Sequence, residues 1–98
     1  MLKKKCLQVE AKPPDSLVEL YDQALRSVSA LARVVARNNA RFEQFMELEN
    51  RLSGLPLPRD QYAAARTRLR NAIRYYDGGE AGAAGYELRL IAGSLRRP

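Results

Sequence analysis

Between Leu17 and Leu52 the chain contains neither Pro nor Gly, and apolar residues recur there every seven positions. One lane is Leu17, Ala24, Leu31, Asn38, Phe45 and Leu52; the other is Tyr21, Val28, Val35, Phe42 and Glu49. Interleaved at spacings of four and three, the two lanes fall on one narrow seam of an α-helix, which must be buried against other helices. This constrains the fold more than any other feature. About 36 residues in one helix make a rod of roughly 54 Å, and a chain of 98 residues has little left to cover it.

The flanks set the ends of that rod. Pro13 and Pro14 favour extended backbone before them. Asp15 and Ser16 are N-cap candidates, and Ser16 with Glu19 has the spacing of a capping box. At the other end Gly54 supplies a stop, and Pro56 and Pro58 prevent continuation. The expectation is one continuous helix from Leu17 to Ser53. The alternative is a break at Asn38-Asn39, the only poor helix formers in its middle.

Two shorter helices follow. The first begins near Pro58, with Asp60 in its first turn and a buried stripe of Tyr62, Ala65, Leu69, Ala72, Ile73 and Tyr76; Asp77-Gly78-Gly79 ends it. The second spans about residues 80–97 with a stripe of Ala81, Ala84, Leu88, Ile91 and Leu95. Gly82, Gly85 and Gly93 weaken it and leave it dependent on packing. No segment alternates with period two. The predicted fold is therefore all-α: one long amphipathic helix plus a shorter two-helix hairpin, three helices in a bundle-like arrangement. Residues 1–14 form a basic tail and residues 15–98 a single helical domain. The hairpin covers about half of the long helix, so the other half is expected to bury its seam on a second copy or on another protein.

The formal net charge of +6 is unevenly placed. Residues 1–14 hold four Lys and one Glu (+3), residues 15–54 five Arg and six acids (−1), and residues 55–98 eight Arg and four acids (+4). The long helix is thus balanced, which argues against the whole body as a nucleic-acid footprint. All Lys lie in the first twelve residues, and Arg and Ala dominate the body; high-GC coding in a bacterium or phage accounts for that. There is no apolar run of membrane-spanning length and no apolar core after the N-terminal lysines, so a cytoplasmic site is expected. The lone Cys6 excludes an internal disulfide framework.

The candidate protein-binding surface lies in the second half of the long helix. Val35, Phe42, Phe45, Met46 and Leu52 are its apolar anchors, and Arg37 and Arg41 its orienting charges; aromatics, Met and Arg are the types enriched at interface centres. Asn38 interrupts the middle of the seam and either pins the register of self-association or marks a bend; Glu49, the other polar seam residue, falls at the exposed distal end or pairs with an Arg of a partner. A second candidate is the row Arg59, Arg66, Arg70 and Arg74 on the following helix, spaced to grip phosphates or to stay solvated. Catalysis is not expected. The chain has no His, and its serines have no basic partner at useful spacing. Glu43, Glu47 and Asn50 share a face but read as solvated rather than metal-binding. No cofactor or metal is implied.

Asn71 to Ile91 resembles part of a tetratricopeptide repeat: Ala72, Tyr75, Gly79 and Ala84 fall at positions similar to that family's small, aromatic, Gly and Ala positions. The likeness lacks the aromatic at the Arg68 position and the closing Pro, and covers about one fifth of the chain. A single repeat makes no solenoid. The resemblance implies a packed helical hairpin and, for the family, peptide or protein binding. In size and class the chain is also similar to small helical anti-activators and phage-encoded inhibitors. The functional expectation is a regulator (inhibitor, anti-activator or adaptor) that docks a helix face on a larger protein, on itself as a homodimer, or on both. The alternative is a dimeric nucleic-acid-binding accessory protein that uses the Arg row and the Lys-rich tail.

Overall fold

The computed structural model describes residues 17–96. The basic tail, Cys6, the Asp15-Ser16 cap and Arg97 lie outside the described residues. Within them the chain is all-helical and forms four helices rather than three: α1 (Leu17–Ala36), α2 (Phe42–Ser53), α3 (Arg59–Asp77) and α4 (Ala81–Leu95).

The expected continuous helix is broken, and the cause is local. Asn38 adopts the left-handed conformation with φ 56°. Its N–H donates to the Val35 carbonyl at 2.9 Å, and the Asn39 N–H reaches back to the Val34 carbonyl at 2.8 Å. These two bonds form a Schellman motif, which satisfies the last carbonyls of α1 and turns the chain out of the helix. The same motif closes α3, where Gly79 has φ 81°, its N–H bonds the Tyr76 carbonyl at 3.0 Å and the Glu80 N–H bonds that of Tyr75 at 2.8 Å. Gly54, by contrast, has φ −85°. The stop after α2 comes from Pro56 and Pro58, not from a left-handed glycine.

After the break α2 runs back along α1. Arg51, near the end of α2, comes within 3.5 Å of Gln23, near the start of α1. Gln44 and Leu48 share a small hollow with Ser27 and Leu31. α3 and α4 are antiparallel as well: Gln61 donates to the Ser94 carbonyl at 2.9 Å and Arg68 pairs with Glu87 at 3.3 Å. Each helix packs on its sequence neighbour, and α4 closes on α1. The result is an up-down-up-down ring of four helices joined by short loops.

The core collects one stripe from each helix. α1 buries Ala24, Val28, Leu31 and Val35; α2 buries Phe45, Leu48 and Leu52; α3 buries Ala65, Leu69 and Ala72. α4 sits between α1 and α3 and buries two faces, with Ala84, Leu88, Ile91 and Leu95 joined by Gly85 and Ala92. Only α2 is short, about 18 Å against roughly 30 Å for α1. The loop after it makes up the difference. Leu55 is buried, Leu57 packs against the core, and a tight Leu57 N–H to Leu55 carbonyl bond of 2.8 Å holds the pair.

Candidate functional site

The break at Asn38 redistributes the residues of the predicted docking surface. Val35, Phe45 and Leu52 are buried in the chain's own core, so they do not serve as anchors in this conformation. Met46 is partly buried and packs against that core. Asn38 is an exposed turn residue outside any seam, which corrects the register-pin reading in favour of the bend. Four predicted residues remain exposed together around the loop between α1 and α2: Arg37, Asn38, Arg41 and Phe42, the last with 62% of its surface accessible.

This end of the bundle is built by the tip of α3. The Ala40 N–H donates to the Tyr76 hydroxyl at 2.8 Å, and the Tyr76 ring lies 5.7 Å from that of Phe45. One aromatic thus ties the loop to the core twice, by a hydrogen bond and by ring packing. Its neighbour Tyr75 is 39% exposed at the same end. Two exposed aromatics, Phe42 and Tyr75, therefore lie at the same end of the bundle as Arg37 and Arg41, neither of which has an acidic partner among the described residues. Tyr75 belongs to this cluster only because the chain folds back there. Its adjacency to Tyr76 is visible in the sequence, but its place at the same end of the bundle as Phe42 is not.

The start of α2 is unusual in its chemistry. Arg41 occupies the N-cap with extended backbone (φ −114°, ψ 155°). Its N–H donates to the Gln44 side-chain oxygen at 2.7 Å, half of a reciprocal cap. The other half is missing, because a guanidinium has no acceptor for the free N–H groups of the first turn. Its positive charge also sits at the positive end of the helix dipole. Ser, Thr, Asp or Asn at this position would favour the fold.

The Arg row on α3 is split. Arg66 pairs with Glu49 at 3.2 Å and lies 5.9 Å from the centre of the Tyr62 ring, and Arg74 donates to Asn71 at 3.2 Å. Arg59 and Arg70 are exposed and have no ion pair among the described residues. Of the acidic trio, Glu47 pairs with Arg51 at 3.5 Å. No cluster of three or more potential metal ligands occurs among the described residues, and no described helix is long and apolar enough to cross a membrane.

Comparison of the chain with protein-family models, with curated proteins and with solved structures gave no match. The functional reading therefore rests on the geometry just described.

Proposed function

We propose that the chain is a small helical regulator that acts by protein–protein contact, docking the Phe42 end of its bundle on a larger bacterial or phage protein in the cytoplasm. The observation that carries this reading is the exposure of Phe42 (62%) next to a loop that carries Arg37 and Arg41, two arginines without acidic partners among the described residues. A large apolar side chain in solvent, flanked by Arg, is the composition of an interface centre. The poor cap at Arg41 supports the reading, because that residue costs helix stability where a smaller polar one would add it. Met46, one turn beyond Phe42 on α2, extends the apolar surface. The use of Arg alone for positive charge in the body and the abundance of Ala support a bacterial or phage origin.

The nucleic-acid alternative has less support. One member of its Arg row, Arg66, is ion-paired with Glu49, which leaves Arg59, Arg70 and Arg74 to meet phosphates.

A photo-crosslinking residue placed at position 42, with position 63 on the exposed face of α3 as control, tests the proposal in the native cell. The expected result is a covalent adduct to a different protein at 42 and none at 63. No adduct at 42, or the same adduct at both positions, overturns it. An adduct to a second copy of this chain replaces it with self-association.

A further inference from the structure

A second surface, remote from the Phe42 end, has the chemistry of a binding groove. Where α4 closes on α1, small side chains leave a gap between the two helix surfaces. Val28, Ser29 and Ala32 of α1 face Ala92 and Gly93 of α4 across a groove of about 270 Å³ bordered by Arg89 and Arg96. Ser29 also lines an adjoining hollow on α1 between Arg26 and Arg33. Arg89 and Arg96 thus border the trough and Arg26 and Arg33 the hollow beside it, and none of the four has an acidic partner among the described residues. No acid of either helix lines the two hollows; Asp22 stands one turn before Arg26 on the same face of α1. Glu87 is 8% exposed and pairs with Arg68 of α3. Glu19 and Asp22 lie on the first turns of α1, before Arg26.

This charge distribution decides between occupants. A second copy of the same face would bring four more arginines to the groove, and like charges repel across a dry contact. Phosphates would satisfy the arginines but leave the partly exposed Ala32 and the bare Gly93 position between them facing polar backbone. An amphipathic helix with acidic flanks satisfies both parts: its apolar side chains enter the trough and its carboxylates meet the guanidiniums in charge-assisted hydrogen bonds. From Arg89 to Arg96 the groove runs about 10 Å, enough for two turns of such a helix. We infer that the α1–α4 groove binds an acidic amphipathic helix of a partner protein. This surface shares no residue with the Phe42 end, so either can hold without the other.

The test is a titration of the isotope-labelled full chain with a synthetic helical peptide of about 18 residues, Leu along one face and Glu on both flanks, at low salt. The same peptide with Lys for Glu and a duplex oligonucleotide form the other arms. The expected result is a set of amide shifts confined to residues 28–33 and 89–96 with the acidic peptide, and none there with the Lys peptide. Two variants separate charge from shape. Arg89→Glu with Arg96→Glu reverses part of the rim. Gly93→Leu fills the trough without changing charge, and a Cβ at that position meets nothing within 4 Å; an unchanged amide spectrum away from the groove checks that the variant is folded. Each is expected to weaken the acidic peptide by about tenfold or more, and Phe42→Asp to leave its binding unchanged. No shifts in those segments at millimolar peptide would overturn the inference. So would oligonucleotide binding that Arg reversal abolishes and Gly93→Leu spares, which would make the surface a phosphate site.

Discussion

Asn38 does for α1 what Gly79 does for α3, but with a side chain attached. Its φ of 56° is a conformation that costs most L-residues about 1–2 kcal/mol, and Asn carries it at lower cost because its short amide bonds locally. A β-branched residue has no such relief. Asn38→Val is expected to destabilise the fold by about 1 kcal/mol or more, read by denaturant unfolding. The two phenylalanines separate in the same way. Phe45 is buried and packed at a tilt against Tyr76, and Phe45→Ala should cost about 3–5 kcal/mol. Phe42 is in solvent, so Phe42→Asp should change stability by less than ~0.5 kcal/mol while removing the proposed contact. Arg41 completes the set. Arg41→Asp supplies an acceptor to the first turn of α2 and an anion to its positive end, so it should raise stability by about 1 kcal/mol. The same change should lower crosslinking at position 42, which separates a contact residue from a structural one.

At the scale of elements, the periodicity of single helices was legible and the continuity between them was not. The stripes of α3 and α4 stand where their spacing places them: Ala65, Leu69 and Ala72, then Ala84, Leu88, Ile91 and Leu95, are all buried. The seven-residue lanes cross Asn38 only in part. Ala24, Leu31, Phe45 and Leu52 keep their lane, whereas Val28 and Val35 are continued by Leu48 and Leu55 rather than by Phe42 and Glu49. A change of lane beside two Asn residues is the signature of two helices. It was readable in the sequence, but a regular heptad frame hides it, because one lane survives the turn. The role of Leu55 and Leu57 was not readable at all. They fill the core only because α2 is too short to span α1, a fact of length that the break itself creates. The α4 glycines are a different matter. A methyl group added at Gly82 would meet nothing within 4 Å, and the residue lies within a helix. Gly82→Ala should therefore stabilise the protein by up to ~1 kcal/mol, measured as a rise in thermal midpoint.

For the whole molecule, folding back replaces an uncovered rod with a closed ring. The mismatch in length that implied an obligate partner is met inside the chain: α2 covers part of α1, the Leu55–Leu57 loop packs beside it, and α4 takes the remaining flank. What is left for partners is smaller and more specific, an aromatic end around Phe42 and a basic groove between α1 and α4. Neither surface was placed by the sequence alone, since each joins residues from two helices whose neighbourhood depends on the turn at Asn38.

Both surfaces exist only if the chain turns there, and a distance between spin labels at positions 23 and 51, with Cys6 replaced by Ser, tests that directly. In the folded-back chain Gln23 and Arg51 come within 3.5 Å of each other, so the labels should report a separation of less than ~20 Å once their linkers are included. A continuous helix would hold the two positions 28 residues apart along one axis, about 42 Å. A distribution centred there would restore the long rod and remove both proposed surfaces.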